Sequence, residues 1–590
     1  MGENDQESKT APSPFFLSRV AVRLQRLARR FLLVTTILVG VACGISAVTF
    51  HYLIDLFSKL LIGSTIPMET PLDWFLIIAI PSAIAFLLAI VINRLAPGAG
   101  GANLARVRLA YHRDPGLLNR RTILATFLLT PLSLGSGAPL GPESPTVVVS
   151  AGLSVGLAKF LRLPRKIVRG MIPVGTAAGI AAIFNTPIAA VVFALEEILG
   201  TAQRGLLGGA IIASVAAAVV QRMFLGGKPL LAAPSANWTD LRELIGFAAV
   251  GILAGTVSGG SIPLMRHWRK LLAEKVPHWP SRVAIAGAFV GLVGIVSPNV
   301  FGVGYETVSD WLHGGGTLES TSLAFATKTI AMIVAVSAGM IGGTFAPSLF
   351  IGAALGGAVG HAAALWLPVE PGAYALVGMG AFFAGLLRNP IASVLFVMEL
   401  TQGYELILPC MLAIALSISI SRQIAPLNLV EHQMREEGFL EEEKTESDPT
   451  YFLPVWQVMT RDPISVRSDM TLDEVLEFLA GRRHSVYPVV GENDALEGIL
   501  AGSAIASAIR SGSLHRLVSD VATPPDYVAR SDQRVQEILR EMADLDVRRC
   551  PVVAPDGTER LVGVLTPTDL LLARMRHVEE VQSTKFSAFD

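Results

Sequence analysis

The residue best suited to chemistry in this chain is Glu143, a lone carboxylate in a long apolar region. Between Asp114 and Glu196 it is the only acidic residue. It stands within residues 141–145, directly before an apolar stretch from Val147 that predicts a helix. The first amide groups of a helix lack partners within it, and together with the helix dipole they form an anion site without a cationic side chain. A carboxylate placed there can occupy the site in the anion's stead, which predicts a gate. The alternative is a carboxylate that only caps its helix.

Two motifs of the chain occur twice, in the same order and at nearly the same spacing. Ser144-Pro145 returns as Ala346-Pro347, and the pattern Pro-Ile-Ala-x-Val-x-Phe-x-x-Glu covers both 187–196 and 390–399. Such repetition indicates an internal duplication. In transporters built from repeated halves, the site lies where interrupted helices of the two halves meet. The second copy, residues 342–347, therefore predicts another helix start with free amides and no charge.

The composition is that of a membrane protein, because 52% of residues are hydrophobic and 16% are charged. The mean hydropathy is +0.54. Several apolar runs are too short or too interrupted by Gly and Pro to cross a bilayer alone, since a perpendicular helix needs about 20 apolar residues. Interrupted helices are tolerated at that depth only around protein or a wet cavity. The predicted runs are 31–61, 73–93, 121–132, 171–199, 205–224, 243–262, 283–296, 323–341, 345–367, 372–400 and 404–420.

The ends of the chain differ from this apolar part. Residues 1–30 contain five arginines that, by the positive-inside rule, predict a cytoplasmic basic segment before a membrane domain at 31–435. Residues 436–452 are acidic and predict a solvated linker. A soluble α/β repeat follows, with units at 453–515 and 516–578 and a tail at 579–590. Three widely spaced cysteines imply neither a disulfide framework nor a metal site.

The soluble repeat resembles a tandem pair of CBS domains, which commonly bind adenine nucleotides. By that resemblance Thr566 and Asp569 would hold a ribose, whereas the first unit has Ala501 and Ala504 at those positions. One ATP, ADP or AMP site per subunit is therefore expected. The alternative is a dimerising module that binds nothing, in which the Thr/Asp pair is only a helix cap.

The chain as a whole resembles the CLC family of chloride channels and proton-coupled chloride transporters from about residue 30 to 577. The resemblance rests on Gly-Pro-Glu-Ser-Pro at 141–145, Gly-Thr-Phe-Ala-Pro at 343–347, Phe-Asn-Thr-Pro at 184–187 and Leu-Glu-Glu at 195–197. It implies an all-α polytopic membrane domain with inverted halves, followed by the α/β CBS pair, in a homodimer. Glu143 then corresponds to the outer gating glutamate and Glu197 to the inner, proton-relaying one. The anion-binding positions implied are Gly141, Ser144, Thr344, Phe345, Ala346, Asn428 and Ala99.

Some of these positions depart from the family pattern. Ala99, in Gly98–Ala102, stands where a serine hydroxyl usually contacts the central anion, and Asn428 replaces a tyrosine. Pro142 replaces a basic residue and lacks an N–H, whereas Ser144 replaces a glycine and adds a hydroxyl. The anion site is therefore expected to depend mainly on backbone amides, with Thr344 or Asn428 as further donors. An oxyanion such as nitrate or bicarbonate is also compatible with such a site.

The resulting hypothesis is a proton-coupled antiporter of chloride or a similar monovalent anion, with membrane lipid, protons and a second subunit as its other partners. The alternatives are a passive anion channel gated by Glu143 and a membrane-tethered nucleotide sensor. No nucleic-acid partner, required cofactor or metal is expected, and the chain shows no nucleophile–base set typical of an enzyme. The expected location is a bacterial inner membrane, with multiple passes and both termini cytoplasmic.

Overall fold

The computed structural model describes the backbone of most of the chain. The described residues are 14–63, 69–100, 104–200, 204–231, 238, 240–436, 453–479, 486–545, 547–570 and 572–573. They form two compact units, residues 1–438 and residues 439–590. The predicted linker from residue 437, the tail at 579–590, and Gly101 and Ala102 lie outside the described residues.

The first half of the membrane unit is helical throughout. After the short helix Pro187–Phe193 the chain continues as one π-helical turn at Ala194–Leu199. The helices are α1 (Pro14–Leu61), α2 (Pro71–Leu95), α3 (Leu104–His112), α4 (Arg120–Gly135), α5 (Glu143–Phe160), α6 (Arg165–Phe184), α7 (Pro187–Phe193) and α8 (Arg204–Leu225).

The second half repeats this arrangement. The pairs α5–α6, α6–α8 and α1–α8 recur as α13–α14, α14–α16 and α9–α16, while α2 packs on α10 and α7 on α15 across the two halves. The predicted duplication is thus present in three dimensions. The helices are α9 (Glu243–Lys275), α10 (Trp279–Val296), α11 (Tyr305–Leu312), α12 (Leu318–Ala338), α13 (Phe345–Ala363), α14 (Pro371–Leu387), α15 (Pro390–Thr401), α16 (Ile407–Ile424) and α17 (Leu429–Glu436).

Many of these helices suit a membrane. Within the described residues, nine helical segments are long and apolar enough to cross one, and α14 and α15 are shorter apolar helices. The prediction of an all-α polytopic domain is confirmed in this respect. Two predicted runs, 171–199 and 372–400, are each divided in the structure. The divisions fall at Asn185 and Arg388, both with left-handed backbone (φ 56° and 64°), and a proline opens the next helix two residues later in each case.

Helix α1 begins at Pro14 and runs through the predicted boundary between residues 30 and 31, so the basic residues share one continuous helix with the first apolar run. The candidate membrane span within this helix begins at Leu32, close to that predicted boundary. Nothing in that stretch breaks a helix, since its arginines and leucines are good helix formers. At the other end, Glu436 was assigned to the acidic linker but belongs to α17, where it forms an ion pair with Arg269 at 2.6 Å.

The second unit contains two small α/β sheets. One has the strand order β2-β3-β4 and the other β1-β7-β6-β5, and each combines one parallel with at least one antiparallel pairing. The two sheets have separate hydrophobic cores. The elements are β1 (Thr460–Arg461), β2 (Val466–Arg467), α18 (Leu472–Phe478), β3 (Val486–Val490), β4 (Leu496–Ala501), α19 (Gly502–Ser511), β5 (Ala529–Arg530), α20 (Val535–Asp544), β6 (Cys550–Val553) and β7 (Leu561–Leu565).

Candidate functional site

The two copies of the Gly-x-x-x-Pro motif pair with each other directly. Gly141 and Gly343 exchange two backbone hydrogen bonds, with N···O distances of 2.9 and 2.7 Å, and form an isolated antiparallel bridge. A Cβ atom on either glycine would collide with the carboxylate of Glu143. The absence of side chains at these two positions therefore leaves room for a buried anion between the starts of α5 and α13.

Glu143 fills that space. Its side chain is 1% exposed, and its Oε1 atom accepts hydrogen bonds from the amides of Phe345 (2.6 Å) and Ala346 (3.1 Å). Among the described residues, Oε2 has no hydrogen-bond partner. Hydrogen bonds to a charged group contribute about 1.5–3 kcal/mol each. The carboxylate thus lies across the first turn of the opposite helix, where the free amides and the dipole favour a negative charge.

The amide of Phe345 is held in place by the side chain of the same residue. Its ring stacks on Phe184 at 4.6 Å and contacts Phe383 and Phe396 at 4.2 and 4.7 Å between ring centroids. Phe193 joins the cluster at 6.1 Å. All five rings are buried and come from both halves of the molecule. This packing holds the Phe345 residue, so that its N–H group is directed toward the carboxylate of Glu143.

A cavity of about 320 Å³ adjoins Glu143. Ser144, Thr344 and Phe345 line it at the end next to the carboxylate. Thr344 is the N-cap residue of α13, but its hydroxyl forms no capping hydrogen bond. At other points it is lined by Arg269 and by the α17 residues Leu429, Val430 and Gln433. The structure therefore brings together Glu143, Gly141, Ser144, Thr344, Phe345 and Ala346, all of which the sequence had singled out.

Two other predicted anion-binding residues, Ala99 and Asn428, do not line the cavity beside Glu143 themselves, although Pro97, Gly100 and Leu429 near them in the chain do. Ala99 is 1% exposed and packs in an apolar cluster with Leu88 and Ile341. Asn428 is the N-cap of α17: its Oδ1 accepts from the amide of Glu431, and its Nδ2 donates to the carbonyl of Leu387 at 3.0 Å. Its Oδ1 and one of its two Nδ2 N–H groups are thus bound within the protein, and the side chain lines the cavity of Glu197 rather than the one beside Glu143.

Glu197 lies at a second cavity, of about 330 Å³. The side chain is 1% exposed, Oε2 accepts from Nδ2 of Asn389 at 2.8 Å, and Oε1 is 4.0 Å from a guanidinium nitrogen of Arg108. The π-helical turn at Ala194–Leu199 carries both Glu197 and its neighbour Glu196. This cavity is also lined by Arg388, Arg422, Asn428 and Glu431, and no described residue lines both cavities.

Glu196 and Glu399, the last residues of the repeated Pro-to-Glu motif, have matching structural roles. Glu196 accepts hydrogen bonds from the amides of Ile391 and Ala392 at the start of α15, at 3.2 and 3.0 Å. Glu399 accepts from Ile188 and Ala189 at the start of α7, at 3.1 and 2.7 Å. Each carboxylate thus caps the helix that opens the other copy of its motif, which accounts for the repetition without any transport function.

Thr566 and Asp569 form a reciprocal cap at the start of a helical turn. Thr566 donates its amide and hydroxyl to one carboxylate oxygen of Asp569, both at 2.7 Å, and the Asp569 amide donates to the Thr566 hydroxyl at 3.3 Å. The other carboxylate oxygen accepts from the hydroxyl of Thr460 at 2.5 Å. In the first unit, Ala501 precedes α19 without a side-chain cap, as its methyl group requires.

Models of known protein families match both units of the chain. The family model described as voltage gated chloride channel matches residues 84–422, which is more than half of the chain, and the CBS domain model matches residues 455–511 and 518–576. The chain belongs to the voltage-gated chloride channel, or CLC, family. The resemblance drawn from the motifs is therefore confirmed, as is the pairing of a CLC membrane domain with two CBS domains.

Relatives and solved structures agree with this assignment. A putative chloride channel protein ClcB-like from Ralstonia nicotianae is 32% identical over 50% of this chain and 71% of its own length. An H(+)/Cl(-) exchange transporter ClcA from Vibrio campbellii is 30% identical over 59% and 75%. A slow cyanobacterial Cl⁻/H⁺ antiporter matches with a TM-score of 0.63 and 21% identity, over 70% of this chain and 99% of that one. A eukaryotic CLC transporter gives 0.62 and 18% over 92% and 98%. At these identities the structures establish the fold.

Sequence reasoning missed two residues of this CLC protein that contact Glu197. Asn389 directly precedes the proline that opens α15, and Arg108 lies on α3, within a segment whose pattern predicted no site. The only signal for Asn389 was its place beside a repeated motif. Arg108 had none, because its closeness to Glu197 depends on the packing of α3 near the π-helical turn.

Proposed function

We propose that this protein is a proton-coupled antiporter of a small monovalent anion, with chloride as the first candidate. The observation that carries the proposal is the carboxylate of Glu143 bound to the amides of Phe345 and Ala346 at the start of α13. A carboxylate in that position competes with an anion for the same donors. Protonation removes its charge and weakens its hold there, so uptake of a proton and admission of an anion become linked events.

The second carboxylate supports the coupling. Glu197 is buried, and its two carboxylate oxygens lie next to Asn389 and Arg108. It lines a cavity separate from the one beside Glu143. In this proposal protons reach Glu143 by way of Glu197, while anions use the cavity lined by Ser144 and Thr344. The names of the relatives, which include chloride/proton exchange transporters, favour the same activity.

Flux from liposomes tests the proposal. Purified full-length protein is placed in liposomes loaded with chloride, with the same pH inside and outside at the start. As chloride flows out, protons should move inward, and an external pH electrode records the rise in external pH. Chloride, nitrate, fluoride and bicarbonate compared in turn give the anion preference. Anion flux without any proton movement would instead establish the passive channel, and no flux at all would favour the nucleotide-sensor alternative.

For the second unit we infer an adenine nucleotide site at Thr566 and Asp569, one per subunit. Its support is the match to CBS domains and the presence of this pair in the second unit, against alanines in the first. The carboxylate of Asp569 already accepts hydrogen bonds from Thr460 and Thr566, so a ribose hydroxyl would share or replace these contacts. Calorimetry on the full-length protein with ATP, ADP and AMP is the test, and Asp569→Ala should weaken binding roughly tenfold or more, as expected for a lost charge-assisted hydrogen bond.

No heat with any of the three nucleotides would leave the pair as a structural cap. An unchanged affinity in Asp569→Ala would place the site elsewhere. We also propose a homodimer with both termini in the cytoplasm, and each part of this proposal has its own test. Light scattering reports the mass of the complex, and protease added to sealed, right-side-out bacterial spheroplasts should leave both ends uncut.

A further inference from the structure

A groove that shares no described lining residue with the two glutamate cavities runs along helices α9, α10 and α12. It has a volume of about 390 Å³, within the range of about 300–1,000 Å³ typical of small-molecule sites. Its lining is apolar except for one residue, Arg282. The other lining residues are Leu264, Trp268, Leu272, Ile285, Ala286, Phe289, Ile330, Ile333 and Val334.

Several of these side chains face outward. Leu264 is 43% exposed, Ile285 52% and Ile330 49%, and all three belong to helices apolar enough to span a membrane. Exposed apolar side chains on such helices contact lipid rather than water. The groove is therefore open to the hydrocarbon region, and an acyl chain is the occupant that its surroundings supply.

Arg282 gives this groove a chemical preference. It lies in the first turn of α10, and its Nε–H group is buried without a hydrogen-bond partner among the described residues. No carboxylate in the described part of the chain forms an ion pair with it, while the charge of Arg269 lies within electrostatic range and is itself balanced by Glu436. The Arg282 side chain is only partly buried, so the rest of its guanidinium can reach the surface, but the buried Nε–H group loses free energy unless an acceptor binds it.

The end of the molecule on which Arg282 lies suits a lipid headgroup. The last turns of α9 carry Arg266, Arg269, Lys270 and Lys275 against the single acid Glu274. Trp268, 44% exposed and part of the groove, is a residue type enriched at the membrane–water interface. The start of α10 adds the favourable end of a helix dipole for a phosphate.

We propose that the groove binds an anionic glycerophospholipid, with one acyl chain between α9, α10 and α12 and the phosphate accepting a hydrogen bond from Arg282. Basic pockets between membrane helices recognise anionic headgroups in this way. The groove accounts for the acyl chain and the guanidinium accounts for the preference for net negative charge. Phosphatidylcholine also carries a phosphate, but its trimethylammonium group cancels the charge, so it should bind more weakly, and free phosphate lacks the acyl chain.

Native mass spectrometry of the full-length protein tests this directly. Protein is mixed with phosphatidylglycerol and phosphatidylcholine of identical acyl chains, and the lipid retained by each variant is counted. Phosphatidylglycerol should be retained in preference, and Arg282→Gln should reduce that preference roughly tenfold, the size expected from a lost charge-assisted contact. Inorganic phosphate in excess should displace none of the lipid.

Two further variants make the outcome specific. Arg94→Gln removes an exposed arginine from the last turn of α2, outside the groove, and should leave the preference unchanged. Ile330→Trp fills the groove from an exposed position and should lower retention although Arg282 is intact, which preserves the test if Arg282→Gln does not fold. Equal retention of the two lipids, an equal loss in Arg94→Gln, or displacement by phosphate would each overturn the proposal.

Discussion

The two helix starts that meet at the site share a backbone arrangement and differ in chemistry. Gly141 and Gly343 form the same hydrogen bonds to each other, and each is followed two residues later by the first residue of a helix. That residue is Glu143 in the first half and Phe345 in the second. One supplies a carboxylate and the other supplies the amide that binds it. Two glutamates here would place like charges together, which disfavours ionisation of both.

The repeated Pro-to-Glu motif shows the same combination of shared structure and differing chemistry. Glu196 and Glu399 are equivalent residues that cap each other's helix, whereas Glu197 corresponds to Leu400 and contacts Asn389 instead. Residues that recur in both halves build the scaffold, and residues present in one half alone carry the proposed chemistry. A duplicated chain can thus be searched for function at the positions where its copies disagree.

The largest effect is expected from Glu143→Gln, which removes the charge from only one of the two helix starts. The amide can still accept from Phe345 and Ala346, so the fold should persist, but it cannot exchange a proton. Proton movement in liposomes should fall about 100-fold or more, the scale of a lost acid–base group, while part of the anion flux remains. Undiminished anion-driven proton uptake in this variant would contradict the gating role.

Glu197→Gln compared with Glu196→Gln tests whether neighbours in one turn have different tasks. Glu197 contacts no anion position, so its loss should reduce proton transport about tenfold or more with a smaller effect on anion flux. Glu196→Gln should leave the ratio of protons to anions unchanged because its role is to cap α15. Equal ratios in the two variants would remove the distinction. Both fluxes come from simultaneous pH and chloride electrodes.

Glu196→Gln and Glu399→Gln should destabilise the protein to a similar extent. Each change replaces a charged acceptor of two backbone amides by a neutral one, and the expected loss is about 1–2 kcal/mol. Thermal unfolding of the detergent-solubilised protein, followed by intrinsic tryptophan fluorescence at a fixed heating rate, gives the comparison. A large loss in one variant alone would mean that the reciprocal geometry is not matched in energy.

The smallest effect is expected from Ser144→Ala and Thr344→Ala. Both hydroxyls line the cavity beside Glu143, but the anion position is formed mainly by the amides of Phe345 and Ala346. A neutral hydrogen bond contributes about 0.5–1.5 kcal/mol, so anion affinity should fall about two- to tenfold in each case. A complete loss of binding would show that the hydroxyls, not the backbone, define the site.

The sequence predicted those features that combine a repeated motif with a residue of an unexpected type. The lone Glu143, the paired glycine motifs and the two α/β units could all be predicted, and their placement follows from helix starts and sheet patterns. The helix division at Asn185 was harder to predict from an unbroken apolar run, because a left-handed residue followed by Thr-Pro interrupts the helix without any polar stretch.

Contacts between residues far apart in the sequence could not be predicted. That Asn428 donates to Leu387 and not toward the cavity depends on how α17 begins, since the same side chain caps that helix. That Asn389 contacts Glu197 depends on how the start of α15 packs against the π-helical turn, where the two adjacent glutamates point to different partners. Neither arrangement leaves a periodic signal in the residues themselves.

The bridge between Gly141 and Gly343 opposes movement of one half of the membrane unit against the other. A carrier that rocks one half against the other has to break contacts on the line where the halves meet. Here that would unpair two buried amide–carbonyl hydrogen bonds, at about 1–3 kcal/mol for each group left unsatisfied. Rotation of one glutamate side chain breaks neither. In the proposed antiporter, rotation of the Glu143 side chain is thus the motion that keeps the two halves joined, and a covalent link between the halves across this bridge should leave anion and proton flux unchanged.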